Sequence, residues 1–128
     1  MLGTDNIVIV LLQSSGLQAD ATLAAYTNLG TLLTNNTQAT FTNYSRPILA
    51  AASITITVTT GVTVAIPSQV WTAAGGALNN TLGALLTCYR PTGSTADSGI
   101  LPLTKHDFAT TTTGGNLTAT ITTVATVT

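Results

Sequence analysis

The chain has 128 residues, a net charge of −1 and only seven formal charges, none of them glutamate, against 29 threonines. Charged residues make up 5%, where a soluble domain carries about 25%, so the side chains that acid–base catalysis, metal binding and phosphate contacts need are nearly absent. Such a surface repels its own copies weakly, and the expected role is packing against neighbours inside an assembly.

One β-rich domain is expected over residues 1–128, with residues 1–15 as a candidate N-terminal arm. Ile7–Leu12 is a six-residue apolar run. Its β-branched residues favour a strand, either buried in its own domain or added to a neighbour's sheet through Ile7, Val8 and Ile9. A membrane helix needs about 20 residues, and the flank lacks the basic residues of a signal peptide, so no membrane is expected as a partner. Asp20 is placed to cap a helix over about Ala21–Leu33, where Leu23, Tyr26, Leu29 and Leu33 form one apolar stripe. Gly30 and the threonines weaken it, so it depends on tertiary packing. Asn35-Asn36 ends it.

Thr40–Pro47 is polar, with two aromatics. Ile54, Ile56 and Val58 then alternate with threonine, and after Gly61 so do Val62, Val64 and Ile66. The spacing predicts a hairpin of Ile54–Val58 against Val62–Ile66, closed by Pro67. Thr72–Asn80 is a loop. Thr81–Tyr89 is a second long strand, with Leu82, Ala84, Leu86 and Cys88 on one face and Leu85 and Tyr89 on the other. Apolar groups on both faces imply a central strand. Ile100–Ala109 is expected to hold a short strand broken by Pro102. The last strand starts near Leu117, with a bulge where its alternation slips at Thr123–Val124. Together these elements predict a mainly β fold: a small β-sandwich or barrel of five to seven strands with one short helix. Its threonine-bearing edges lack lysine, leaving them open to pairing by another chain.

The core is expected to include Ile54, Ile56, Val58, Trp71, Leu86, Cys88 and Phe108. Cys88 is the single cysteine, so no intrachain disulfide is possible, and its apolar run marks it as a buried, inert thiol. Candidate interface residues are Ile7, Val8, Ile9, Tyr44, Arg46, Arg90 and Lys105. The three cations are either solvated or paired with acidic groups of a neighbouring subunit. They are the only basic residues, and no two are adjacent, so nucleic-acid binding is not expected.

Chemistry has little to start from. His106 is the only candidate base at neutral pH, and on a strand it points away from the adjacent Asp107, so a loop or contact role is expected. One His, one Cys and four separated Asp residues make no metal-ligand pattern. Gly75-Gly76 and Gly114-Gly115 lack the strand–glycine–helix context of a phosphate loop and read as turn glycines. No catalytic, cofactor or metal site is expected. Four matches to the glycosylation sequon, at Asn35, Asn43, Asn79 and Asn116, are what a chain rich in Asn and Thr produces by chance.

Four blocks follow in order: Phe41-Thr42-Asn43-Tyr44-Ser45-Arg46; Gln69-Val70-Trp71 through Asn79-Asn80-Thr81-Leu82-Gly83; Leu86-Thr87-Cys88-Tyr89; and Leu101-Pro102-Leu103-Thr104-Lys105-His106-Asp107-Phe108. As a set they resemble small virion structural proteins of tailed bacteriophages, mostly of actinobacterial hosts, described as minor structural or capsid decoration proteins. The likeness spans roughly residues 16–121. It implies a non-enzymatic decoration or cement protein on the virion's capsid surface, with the major capsid protein and its own copies, in a trimer at local threefold positions, as partners. The chain departs from the group in carrying fewer acidic residues and in the uncharged, non-aromatic end Ala125–Thr128. Two alternatives stay open: a tail-tube or head–tail connection protein, and a carbohydrate-binding or host-adhesion module that displays Trp71 or Tyr44.

Overall fold

Asn6–Gln13 forms a strand (β1) whose six central residues carry no polar side chain, and such a run is stable only with both faces covered. The computed structural model, which describes residues 4–121 and 123–127, covers both. β1 lies between Ile48–Ala50 (β2) and Thr81–Arg90 (β6), and Leu101–Thr111 (β7) completes an antiparallel sheet in the order β2-β1-β6-β7. Ile7, Ile9 and Leu11 pack with Phe41, Trp71 and Leu85 on one face. Val8, Val10 and Leu12 pack with Leu23, Leu29, Leu32, Leu86 and Cys88 on the other. Ile7, Val8 and Ile9 are buried; Ile7 and Val8 pair on both sides, and Ile9 pairs with Thr87 on one side and donates to Pro47 O on the other, so they form the middle of the domain and not an arm for a neighbour. Residues 1–3 of the expected arm lie outside the described residues.

Strict alternation along β6 fails at one point. Leu12 opposes Ala84, yet Gln13 opposes Leu82, so Gly83 is an extra residue relative to β1. The bulge turns Leu82 toward Phe41 and Trp71, away from Ala84, Leu86 and Cys88. Gly83 suits this close approach, because a Cβ there would lie 2.9 Å from Leu17 Cδ2 and 3.0 Å from Ser14 Cα, and both would have to shift. β7 also runs unbroken through Pro102. As an edge strand it tolerates a missing N–H, and the register slips by one residue between Thr104 and Pro102.

The expected single helix is two: Asp20–Leu23 (α1) and Leu29–Asn35 (α2). Asn28 restarts the chain, its side chain accepting from Thr31 N–H at 2.8 Å, a strong N-cap arrangement. Asp20 is the first helical residue, behind Ala19 at the cap position. Leu23, Leu29 and Leu32 cover the second face of the large sheet. Buried Asn36 holds the segments together, with Nδ2 donating to Gln18 Oε1 at 2.7 Å and Oδ1 accepting from Gln18 N–H at 3.0 Å.

Two small sheets complete the molecule. Thr55–Val58 (β3), Val62–Ala65 (β4) and Ala125–Val127 (β9) form one, in that order, and Gln69–Trp71 (β5) pairs with Leu117–Ala119 (β8). The expected hairpin forms, with Ile56 opposite Val64. The strand begun at Leu117 stops at Ala119 and the chain resumes in another sheet at Ala125; Thr122 lies outside the described residues. The nine strands among the described residues exceed the expected five to seven, and no sheet closes into a barrel or true sandwich. Strands of three or four residues are too short to make a second full layer.

Candidate interaction surface

All seven charged residues and His106 lie within residues 5–46 and 90–107. The uncharged remainder gives β2 and most of β6 to the large sheet and supplies both small sheets entirely. β3, β4, β5, β8 and β9 all come from residues 47–89 and 108–128, which contain no Asp, Glu, Lys, Arg or His. They form a neutral lobe beside the larger sheet.

The expected core residues divide here. Trp71, Leu86 and Cys88 are buried. Ile54 and Phe108 are half-buried against the Phe41–Trp71 cluster. Ile56 and Val58 are not core: they are 63% and 71% exposed. Alternation correctly places them on one face, but β3 is the outer strand of its sheet and nothing among the described residues covers it. Behind Ile56 a crevice of about 380 Å³ runs between the small sheet and the large one, lined by Ile7, Ile54, Val64, Ile66 and Val124.

The expected interface residues with charge or hydroxyl are engaged inside the chain. The Tyr44 ring stands edge-on to Phe41, centroids 5.2 Å apart. Its hydroxyl accepts from Leu11 N–H at 3.1 Å and Gln38 Nε2 at 3.0 Å, and burial pushes the phenol up. Arg46 forks onto Asp97, Nη1 to Oδ1 at 2.5 Å and Nη2 to Oδ2 at 3.0 Å, and Nη2 also donates to Gln38 Oε1 at 2.5 Å. This hydrogen-bonded pairing raises the guanidinium and holds the Asp97 carboxyl below its usual range. Arg90 donates to Asn6 Oδ1 at 2.6 Å. Lys105 bridges Asp107 and Asp20, the latter at 2.9 Å, and both carboxylates raise it.

Two anchors escaped the sequence reading because their partners are remote. Asp97 meets Arg46 across 51 positions. Asp5, 2% exposed, accepts from Tyr89 Oη at 2.8 Å and from Thr92 N–H at 2.9 Å, tying β1 to the turn after β6.

His106 and Asp107 do not meet as a dyad. His106 Nε2 lies 3.0 Å from Thr104 Oγ1, which lies 2.6 Å from Thr87 Oγ1. Desolvation and then Lys105 push the imidazole down. Thr87 is fully buried, so a substrate cannot reach that end of the chain of hydroxyls. Burial pushes the Cys88 thiol up to about 12, which keeps it protonated and unreactive. Among the described residues no group of three or more His, Cys, Asp or Glu side chains could hold a metal ion, and no helix is long and apolar enough to cross a membrane. The loops carrying Gly75-Gly76 and Gly114-Gly115 lace together as a turn pair, with Gly114 N–H donating to Ala74 O and Ala74 N–H to Gly115 O, both at 2.8 Å.

No protein-family model, no curated protein and no solved structure matches the chain.

Proposed function

We propose that the chain is a non-enzymatic virion structural protein that decorates the outer surface of a capsid shell and stabilises it. The observation that carries this reading is the neutral lobe. It exposes Ile56 and Val58 on a strand whose outer edge pairs with nothing among the described residues, beside an apolar crevice. An isolated protein gains nothing from exposing large apolar side chains on an unguarded edge. A protein held against neighbours in many copies gains area and avidity. The charged half supports the same division of labour. Arg46 and Lys105 are paired with carboxylates of the same chain and Arg90 is hydrogen-bonded to Asn6, so it presents no strong field to a partner. The setting on a tailed-phage particle, with the major capsid protein as partner, rests on the four motif blocks.

The test is binding to particles that lack the protein. Purified chain is mixed with capsid shells and with tails, then sedimented and imaged by cryo-EM. Decoration predicts co-sedimentation with shells and density on the outer surface across joints between capsomers. A ring below the portal or along the tail would replace this reading with the connector one, and failure to bind either structure would reject it.

A further inference from the structure

We infer that β3 is a self-pairing edge: a second copy of this chain adds its own β3 antiparallel across a twofold axis at Thr57, joining two three-stranded sheets into one. This rests on the neutral lobe being a contact surface and names what that surface takes first.

The segment Thr55-Ile56-Thr57-Val58-Thr59 reads almost the same in both directions. With Thr57 opposite Thr57 of the second copy, Ile56 falls opposite Val58 and Thr55 opposite Thr59. Residues directly opposite on antiparallel strands share a face, so this register puts apolar against apolar on one face and hydroxyl against hydroxyl on the other. A slip by one residue sets isoleucine against threonine. A slip by two in one direction recruits Ile54, which already packs inward against the Phe41–Trp71 cluster, and in the other sets Ile56 against Thr60.

Charge favours the same occupant. Residues 47–89 contain no charged side chain, so a matching surface must also be neutral, since a charge facing this edge would be desolvated without a partner. The chain's own β3 meets that requirement. The exposure of all four β3 residues leaves the approach open, and no proline, lysine or bulge blocks the ladder. A strand of four residues makes a small interface, below about 1,200 Å², so the pairing is weak in solution, with Kd on the order of micromolar or weaker. It strengthens when copies are held close on a shared surface.

Sedimentation velocity of the full chain, from roughly 1 µM to 1 mM to span weak dissociation constants, is expected to show a monomer–dimer equilibrium. Thr57→Lys places two ammonium groups face to face at the axis and should weaken it at least tenfold, whereas Thr118→Lys, at the one exposed residue of β8, should leave it unchanged. Thr57→Cys should form a disulfide-linked dimer under mild oxidation, because directly opposed residues have Cα atoms about 4.5–5.5 Å apart. A monomer throughout, with no Thr57→Cys cross-link, overturns the inference. So does association that Thr57→Lys leaves intact while Thr57→Cys fails to cross-link. Shell binding is scored separately: decoration without self-pairing rejects only this inference, and self-pairing without shell or tail binding rejects only the virion reading.

Discussion

β7 and β3 are both outer strands, and they meet the hazard of a free edge in opposite ways. β7 runs for 11 residues. Pro102 removes one donor, the register slips twice along it, and Lys105 and Asp107 set charges beside it. Each device discourages another strand from joining. β3 has four residues, all exposed, and none of these devices. Within one short chain, the long edge carries several guards against pairing and the short neutral edge carries none, the difference that the self-pairing proposal builds on.

The sharpest test of the contrast is truncation of one apolar side chain in each region. Leu85 is fully buried, opposite Leu11 in the central pair of strands. Leu85→Ala should cost about 2–5 kcal/mol, read from urea midpoints. Ile56 is 63% exposed, and Ile56→Ala should fall within about 0.5 kcal/mol of the parent chain. A large loss at Ile56 at low protein concentration would mean that β3 is covered within the monomer, and the two regions would no longer differ.

Much of the larger sheet was legible in the sequence, because long apolar runs and a two-residue period are local signals. β1, β6 and the β3–β4 hairpin follow from them directly. The exposure of Ile56 and Val58 was not legible, because alternation says which residues share a face and not whether anything covers it. Leu82 changes face because Gly83 is an extra residue in β6, and the approach of Leu17 and Ser14 that leaves no ready room for a Cβ there is set by tertiary packing. The Asn28 cap was missed, because the stripe Leu23–Tyr26–Leu29–Leu33 reads as one helix until the break is seen. In the interaction surface, the neutral stretches were visible as composition; their assembly into one lobe, and the pairing of Arg46 with Asp97, depend on the fold.

An intermediate effect is expected at that pair, which anchors the charged half. Its side chains are 24% and 34% exposed, so solvent screens part of the gain. Arg46→Ala should cost about 1 kcal/mol, from the lost fork on Asp97 and the unpaired Gln38 oxygen. The pH dependence has a definite sign. The folded state holds Asp97 below its ordinary range, so its contribution is complete above the unfolded carboxylate pKa of about 3.9 and is lost as pH falls through the lower folded value. In Arg46→Ala the thermal midpoint should therefore fall less steeply below about pH 4 than in the parent. An unchanged acid limb would assign it to other carboxylates.

The smallest change in stability, and the most informative about edges, comes from Lys105→Thr combined with Asp107→Thr. The Lys105 side chain is 19% exposed, but its partners Asp107 and Asp20 are 89% and 77% exposed, so solvent screens both pairs and they contribute little. The double variant should unfold within about 0.5 kcal/mol of the parent. Its β7 would carry the threonine surface of β3 but keep Pro102 and its register slips. If charge is the main guard, the variant should associate more strongly than the parent, and sedimentation should show that this added association survives Thr57→Lys on the same chain. If it associates no more than the parent, the proline and the irregular ladder guard β7 by themselves, and the openness of β3 follows from its regular ladder more than from its lack of charge.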